Sequence, residues 1–546
     1  MADGALSSLV VAILIVVLAW RPPPDRLGAW VERQLESRLA PLLAGTISAL
    51  ALCWSWRGLA PVEVIHDETA YLLQAAMLAR GHLVGAPRPL AGFFEQFQVI
   101  AEPVLAVKYP PGFALSLVPG IWLGVAGLMP ALLVGAAGGL IFALARRLAS
   151  PPAGLLTWAL WLVAPGSIPF RQLVMSETLT AALWLGGWWC LLQWWHSGKT
   201  GWLVAAAAAA AWALITRPLT GLAYSLPIVG LVFWRLHTTG RWRALLPAAA
   251  TAAPIFLVLA LQNHAVTGSW TQTAWSEYTR VYAPSDHFGF GEDTTPPLRP
   301  LPPDFQDYVW YYGEFHKGFS PAATPRLLAE RAAQIGHDVW GSAAPTAVVL
   351  AGLGLAGACG PTLFAVVTAT LLILLHLGFA HPPEWSIYYE ESWPVLLFLT
   401  VLGALRCLDL LHARMRGKPT PTGRGLERGP AILAMASVVL CLAPRHLGSA
   451  RANHDLLAAS HLSFRQRIAS LPGRTIVFVR YAPNHIFHRS QISNPEDLAS
   501  AQTWVVYDRG EDNAQLLALA PERAAYLYFE RGDSLRPLQS GSQRTR

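Results

Sequence analysis

The chain has 546 residues, of which 53% are hydrophobic and 13% are charged, and its mean hydropathy is +0.38. This composition excludes an ordinary soluble protein, and the recurring apolar runs match the length needed to cross a hydrocarbon core of about 30 Å. The net charge of +7 comes from basic residues in short loops between apolar runs, a pattern typical of orientation signals rather than of nucleic-acid binding. The five cysteines lie in or beside apolar runs without pairing by spacing, which argues against structural disulfides and a metal cluster.

We therefore predict a polytopic α-helical membrane protein with about eleven or twelve spans. The N-terminal part, 1–39, combines an apolar segment at 5–20 with a cytoplasmic loop. Three prolines and Arg21 follow the apolar segment instead of a small-residue cleavage site, so cleavage is not expected. Whether this segment spans the membrane is left open.

The transmembrane domain is predicted to cover residues 40–446. The loop 412–430 is the most basic short loop and is expected in the cytoplasm by the positive-inside rule. Counting spans from there places the loops 58–112 and 265–340 outside. In the first of these, residues 68–80 have apolar positions at helical spacing but are too short to span, which predicts an amphipathic helix at the interface.

Residues 447–546 are ordinary soluble sequence and are predicted to form an extracytoplasmic domain. A helix is expected near 453–470, and another at 511–519. Strands alternating with helices favour a small α/β domain. The predicted strands are Thr475–Arg480, Thr503–Asp508 and Ala524–Glu530.

Charged residues stand out between His66 and Gly112, where apolar sequence lies on both sides. Asp67, near the outer interface, could accept a proton from a hydroxyl or bind a cation, and the alternative is a solvated acid or a helix N-cap. Lys108 precedes Tyr109, two prolines and Gly112. An ammonium there suits a phosphate head group, and interfacial anchoring explains it equally well.

Three further charged residues fall near the same membrane face in the predicted topology: Arg171, Glu177 and Arg217. Together they could hold a phosphate or pyrophosphate leaving group. Each of them alone is more often an interfacial anchor or part of a buried ion pair.

No metal site is predicted, although a bound divalent metal is kept as an alternative. His66, His264, His381 and Glu384 are conceivable ligands, but no tight spacing supports a site. No P-loop or glycine-rich nucleotide fingerprint is present. An outward-facing transferase would have no access to cytoplasmic nucleotide sugars, so it would need a lipid-linked donor.

The Asp67-Glu68 pair followed by Tyr71, and then the sequence Tyr109 to Gly112, in a chain of many spans, resembles the GT-C glycosyltransferases. The bacterial branch related to protein O-mannosyltransferases and aminoarabinose transferases is the nearest. The stretches HDETAYLLQAAMLARG, FFEQFQVI, KYPPGFALSLVPG, FGFGED and FVRYAPNHIFH look like an uncharacterised bacterial subgroup of that branch. The Asp-Glu pair is weakly specific by itself and gains specificity from this combination, which covers nearly the whole chain.

The resemblance implies a GT-C-like fold and a reaction. A sugar would pass from a polyprenyl-phosphate donor to a glycan, lipid or protein acceptor on the outer face of the bacterial inner membrane, without nucleic acid as a partner. Asp67 would be the catalytic base, and Glu68 would orient it or share the site. Lys108, Tyr109 and Arg217 would meet the donor phosphate and stabilise its developing charge.

Four further positions are carried over as substrate-binding residues: His66, Tyr71, Arg171 and Glu177. Glu177 and Arg217 match by position after a span rather than by a sharp motif. His66 before the Asp-Glu pair is not general in the wider family.

Two other functional classes stay open. A transporter or flippase of a lipid-linked or amphiphilic substrate would typically show internal repeats and interrupted helices at mid-membrane, and no repeat is found. An inactive GT-C-like scaffold that binds through its C-terminal domain is the second. The presence of Asp67, Glu68 and Lys108 argues against an inactive scaffold.

Overall fold

The structure, a computed structural model, describes residues 25–416 and 429–538. The apolar segment 5–20 and most of the basic loop 412–430 lie outside these described ranges. From residue 25 to residue 267 the chain consists mainly of helices, and the irregular segment between residues 80 and 111 contains a short antiparallel hairpin of β1 (Val99–Ile100) and β2 (Ala106–Val107). The helices are α1 Asp25–Glu36, α2 Leu39–Ser55, α3 His66–Ala79, α4 Gly112–Trp122, α5 Leu128–Leu148, α6 Pro151–Val163, α7 Ser167–Arg171, α8 Ser176–Ser197, α9 Thr200–Leu214, α10 Pro218–Thr239 and α11 Leu245–Thr267.

The remainder combines helices with a four-stranded sheet at the C-terminus. The helices are α12 Ala274–Tyr282, α13 Pro303–His316, α14 Thr324–Trp340, α15 Ala344–Leu355, α16 Gly360–Leu375, α17 Trp393–Arg416, α18 Gly429–Ala469 and α19 Asn513–Leu519. The strands are β3 Thr475–Arg480, β4 Thr503–Tyr507, β5 Ala524–Phe529 and β6 Ser534–Pro537.

Six stretches of the described chain are long and apolar enough to cross a membrane, and a seventh results if α1 and α2, bent by 77°, form one span. The six are Leu128–Leu148, Pro218–Thr239, Trp242–Thr267, Pro321–Leu355, Gly360–Gly378 and Ser386–Leu411. The shorter apolar helices α6 and α9, together with α8 and α18, occupy further segments that the sequence predicts as spans, which accounts for the larger predicted number. The predicted fold class, a multi-pass helical membrane protein with a small C-terminal α/β unit, is confirmed.

Small residues set the spacing between several of these helices. A Cβ added to Gly45 of α2 would lie 2.6 Å from the carbonyl oxygen of Gly135 in α5, so this helix pair needs glycine to approach so closely. The alanine-rich α9 packs against α8, α10 and α11. Lipid chains are as apolar as the helix surfaces, so the hydrophobic effect does little to hold helices together in a membrane. Close backbone packing holds them instead, through dispersion contacts.

The predicted amphipathic helix of the first large loop is present as α3, but its environment differs from the prediction. Ala70, Tyr71, Leu73, Gln74 and Ala75 are all buried, so the helix is covered on more than one face. Helix α4 and strand β2 pack against it. A helix enclosed in this way is part of a folded core rather than a surface helix, because tertiary neighbours cover the faces that its sequence pattern left open.

The C-terminal sheet has the order β4-β3-β5-β6, with β3 parallel to β4 and β5, and β6 antiparallel to β5. Central strand β3 is an almost continuous apolar run, as expected for a parallel strand covered on both faces. Strand β6 is an addition to the prediction. The predicted boundary near residue 446 falls inside α18, which runs without a break through both the last predicted span and the predicted helix near 453–470.

The C-terminal sheet is fixed to the first large loop by polar contacts. The guanidinium of Arg88 donates to the carbonyl oxygens of Pro495 at 2.5 Å and Glu496 at 2.9 Å. His82 Nδ1 lies 2.6 Å from the carboxylate of Glu496. Because the Arg88 side chain is buried in this contact, the segment between β3 and β4 holds a defined position against the loop.

Candidate active site

Five helices begin around one region of the molecule: α3, α4, α8, α10 and α17. Most of the polar residues selected from the sequence stand at or just before these helix starts, where the helix dipole and free N–H groups favour negative charge. Hydrogen bonds and ion pairs connect the starts of α3 and α8, and those of α8, α10 and α17. The site is therefore assembled from segments more than 300 residues apart.

Asp67, in the first turn of α3, is the most accessible acid of this group, with 17% of its side chain exposed. Its Oδ1 accepts a short hydrogen bond from the Tyr109 hydroxyl, and its Oδ2 lies 2.9 Å from His66 Nδ1. Burial raises the pKa of Asp67, but the charge and hydrogen bond of His66, the Tyr109 hydroxyl and the charge of Lys108 together bring it well below its ordinary value. Asp67 is therefore an ionised carboxylate at neutral pH.

Glu68 is fully buried and accepts hydrogen bonds from backbone N–H groups. Its Oε1 accepts from the N–H of Val64 at 2.8 Å and of Ile65 at 3.2 Å, and its Oε2 accepts from the N–H of Val174 at 2.8 Å. Burial raises the pKa of Glu68, and these N–H donors oppose the rise. The side chain caps the start of α3 and ties it to the segment before α8, which fixes the direction in which Asp67 points.

Lys108 is buried and faces Asp286, with Nζ 3.4 Å from Oδ2. The same carboxylate oxygen accepts from the Tyr308 hydroxyl at 3.0 Å. The ammonium also lies 5.1 Å from the ring centre of Tyr278 and 5.5 Å from that of Tyr109. These contacts hold a single positive charge beside aromatic rings, where cation–π attraction adds to the ion pair.

The Lys108–Gly112 turn is held in place through its backbone. The carbonyl oxygen of Tyr109 accepts from the side-chain amides of Gln74 at 2.9 Å and Gln262 at 3.0 Å. A Cβ on Gly112 would lie 2.8 Å from the carbonyl oxygen of Ile215, so glycine is required where the turn meets the end of α9. This close approach brings the turn beside Arg217.

A second chain of contacts links the start of α8 with those of α10 and α17. The guanidinium of Arg217 lies 3.4 Å from Glu177 Oε1 and 3.1 Å from Glu391 Oε1. Tyr71 donates to Ser176 Oγ at 3.1 Å, and Ser176 Oγ lies 3.3 Å from Glu177. One cation is thus shared by two buried carboxylates, and the chain reaches α3 through Tyr71.

Arg171 is placed differently from the other predicted residues. Its guanidinium donates to the carbonyl oxygens of Ser167, Trp161 and Leu162 at 3.0–3.2 Å. It also stacks 4.2 Å from the Trp161 ring. Its hydrogen bonds go to backbone at the ends of α6 and α7, so the structure brings Glu177 and Arg217 together and does not pair Arg171 with either.

His66 lies in an aromatic stack that includes the C-terminal domain. Its ring is 4.9 Å from Phe97 and 5.1 Å from His488. The ring is buried, and its Nε2 has no hydrogen-bond partner within the described part of the chain. The stack fixes the imidazole next to Asp67.

Several residues at this site escaped the sequence reasoning, namely Asp286, Tyr308, Glu391 and His488. Glu391 precedes an apolar run in the same way as Glu177, and that signal could have selected it. Asp286 stands two positions before the FGFGED stretch. No local sequence pattern indicates that His488, which belongs to the C-terminal domain, contacts the start of α3.

Within residues 25–416 and 429–538, no three His, Cys, Asp or Glu side chains are grouped to hold a metal ion. Two of the conceivable ligands have other partners. His264 stacks 4.2 Å from Trp270, and His381 Nε2 lies 3.0 Å from the Tyr389 hydroxyl.

Two of the solved structures to which this chain is similar are a transferase bound to a lipid phosphate and an oligosaccharyltransferase. Against ArnT from Cupriavidus metallidurans bound to undecaprenyl phosphate, the identity is 15%, the similarity covers 90% of this chain and 94% of that chain, and the TM-score is 0.47. The apo oligosaccharyltransferase of Archaeoglobus fulgidus gives 11% identity, coverage of 90% and 69%, and a TM-score of 0.44. No family model and no curated protein matches the sequence.

Proposed function

We propose that this protein is a glycosyltransferase that moves a sugar from a polyprenyl-phosphate-linked donor to an acceptor hydroxyl on the outer face of the bacterial inner membrane. The observation that carries the proposal is the pair of Asp67 and Lys108 around Tyr109. A partly exposed, ionised carboxylate stands beside a buried, fixed ammonium, which are the two groups that such a transfer requires. The sequence resemblance assigns the same roles to the same two residues.

The reaction follows from these positions. Asp67 removes the proton from the acceptor hydroxyl, and the acceptor oxygen attacks the anomeric carbon of the donor sugar. The bond between that carbon and the phosphate oxygen breaks, and the polyprenyl phosphate leaves with the bonding electrons. Lys108 stabilises the charge that develops on the phosphate. A single displacement of this kind inverts the anomeric centre.

The remaining predicted residues support these two. Tyr109 and His66 hold the carboxylate of Asp67, and Glu68 fixes the helix start that carries it. Arg217 and Glu177 line the same region, with Tyr71 linking them to α3. Arg217 is shared by two carboxylates, so we assign it the positioning of these helix starts ahead of a direct phosphate contact.

The first experiment measures polyprenyl lipids by mass spectrometry in a strain that lacks the protein. We expect a polyprenyl-phosphate sugar to accumulate, and the native chain to remove it. Asp67→Asn should leave the accumulation in place, because losing a general base costs about 10²–10⁴-fold in rate. Glu102→Gln is the matched control, since Glu102 lies in the same loop with its side chain 49% exposed.

A strain with Asp67→Asn that clears the lipid like the native chain would remove the assignment of the base. Protein level and thermal unfolding are compared for each variant. A folded Asp67→Asn protein is required before its inactivity is read as loss of catalysis.

A further inference from the structure

The segment 485–490 of the C-terminal domain reaches the start of α3. His488 stacks on His66 with 5.1 Å between ring centres and lies 4.2 Å from Phe487. Phe487 in turn packs against Phe97 and Tyr308, and Tyr308 donates to the carboxylate that holds Lys108. The segment therefore contacts both ends of the proposed catalytic site.

The two ring nitrogens of His488 are free to form hydrogen bonds with a ligand. Its ring is only partly buried, and the described residues offer no hydrogen bond to either of its nitrogens. Burial, followed by the charge of His66, lowers the pKa of His488 to about 3. The imidazole is neutral near pH 7, so it presents one N–H donor and one acceptor nitrogen.

Two partly exposed aromatic residues stand beside this imidazole. The rings of Tyr311 and Trp385 each lie 6.2 Å from the ring of His488 at nearly perpendicular angles. Tyr311 and Trp385 belong to α13 and to the segment before α17. Aromatic walls with a few well-placed polar groups are the usual lining of a small-molecule site, and a pyranose ring offers both apolar C–H faces and hydroxyls to such a lining.

The segment that carries His488 is held on both sides. His485 Nδ1 lies 2.7 Å from the carboxylate of Glu530, and its ring stacks 3.7 Å from Tyr481. The Tyr481 hydroxyl lies 2.9 Å from Ser490 Oγ. Since the sheet is also fixed to the first large loop through Arg88, His488 has a defined position relative to Asp67.

We propose that His488, together with Tyr311 and Trp385, forms a sugar-binding subsite beside Asp67, so that the C-terminal domain supplies part of the active site. The inference rests on the proposed transferase function. The ligand is a sugar ring, which could belong to the donor or to the acceptor, and the experiment separates these two sources.

The test uses the full-length protein with His488→Phe, His488→Gln and Ile486→Ala. Phenylalanine keeps the ring stacking and removes the hydrogen bonds, and glutamine retains a donor and an acceptor. Ile486 is an exposed residue of the same segment and serves as the control. We expect His488→Phe to lower clearance of the accumulated lipid about tenfold, which corresponds to the loss of one good hydrogen bond. His488→Gln should recover part of this activity and Ile486→Ala all of it, with unchanged thermal unfolding.

Two binding probes locate the sugar. Undecaprenyl phosphate has no sugar, so its affinity should be equal in the native and His488→Phe proteins. The lipid extracted from the deletion strain carries the donor sugar. If the subsite holds that sugar, His488→Phe binds the extracted lipid about tenfold more weakly. If it holds the acceptor sugar, the affinity for the extracted lipid stays the same while transfer still falls.

Native rates in both His488→Phe and His488→Gln would overturn the subsite. Failure of the proposed function has a separate signature: the deletion strain accumulates no polyprenyl-linked sugar, and the native protein does not bind undecaprenyl phosphate. The two ideas can therefore fail independently.

Discussion

At the scale of single residues, the environment of Asp67 combines partial burial with several groups that favour its charge. The Tyr109 hydroxyl, His66 and Lys108 all stabilise the carboxylate, and their combined effect exceeds the cost of burial. Such a carboxylate stays ionised in mildly acidic solution.

Tyr109→Phe tests this interaction. Removing the hydroxyl takes away one of the groups that lower the pKa of Asp67, so the pKa should rise toward its ordinary value of about 3.9. Protonation then inactivates the base at a higher pH than in the native protein. We expect the acidic limb of the kcat/KM profile to move to higher pH in this variant. Tyr526→Phe, in strand β5, should leave the limb where it is, and an unmoved limb in Tyr109→Phe would contradict the contact.

Lys108→Met tests the phosphate role. Methionine keeps the apolar stem and removes the charge, so the affinity for undecaprenyl phosphate should fall at least about tenfold, as expected for a charge-assisted contact. Asp286→Asn should have the opposite effect, because it removes the counter-charge that Lys108 faces at 3.4 Å. Titration of purified protein measures both. Lys199→Met, at an exposed lysine between α8 and α9, is the control, and equal losses in Lys108→Met and Lys199→Met would exclude a specific role.

At the scale of elements, the site depends on helix starts that meet. Acids at the first turns of α3 and α8 are favourable for each helix alone, because they face free N–H groups and the positive end of the dipole. Where helix starts meet, their carboxylates come close to one another, and the positive charge of Arg217 offsets the repulsion between them. The side chain of Glu391 is fully buried and that of Glu177 is 5% exposed, so the guanidinium between them compensates two costly charges.

Arg217→Ala should therefore destabilise the fold. It leaves two buried carboxylates without their counter-charge, and breaking a buried ion pair in this way costs about 3–5 kcal/mol. Arg217→Lys keeps the charge and should lose less. Thermal and denaturant unfolding of the purified protein in detergent measure the difference. Arg243→Ala, at an exposed arginine, should change stability by no more than about 0.5 kcal/mol. An Arg217→Ala protein of native stability but without phosphate affinity would favour the direct phosphate role instead.

At the scale of the whole molecule, polar contacts connect the C-terminal sheet, the first large loop and the helix bundle. The sheet contacts the loop through Arg88, and it contacts α13 through a hydrogen bond of 2.7 Å from the Tyr507 hydroxyl to Asp304. Helix α18 connects the sheet to the bundle without interruption. Asp67 and the sheet must therefore share one side of the membrane.

The side that they share is tested by reporter fusions. A reporter fused after residue 420 should report the cytoplasm, because the loop 412–430 carries the highest density of basic residues. A reporter at the C-terminus should report the outside. Reversed signals would place Asp67 in the cytoplasm, where nucleotide-linked donors are available, and would contradict the proposed use of a lipid-linked donor.

Much of the fold follows from local pattern. Apolar runs of membrane-spanning length select the class, and β-branched and aromatic runs select β3, β4 and β5 within one residue of their ends. The exceptions have physical causes. Charged residues appear from Arg445 onward, which suggested a break in a helix that continues to Ala469. The four-residue β6 ends in a proline and adds only one antiparallel partner to β5.

The amino-acid pattern alone indicates a membrane protein, with an acid and a lysine, Asp67 and Lys108, at two ends of one polar loop. These two residues lie 41 positions apart, and the structure brings them together through the β1–β2 hairpin and the turn that ends at Gly112. Three features appear only in the folded chain: Arg217 contacts Glu177 and Glu391, Arg171 binds backbone carbonyl groups, and His488 stacks on His66. Such contacts depend on how the helix starts and domains pack against one another. This packing involves residues far apart in the chain, so the spacing of residues within one segment does not predict it.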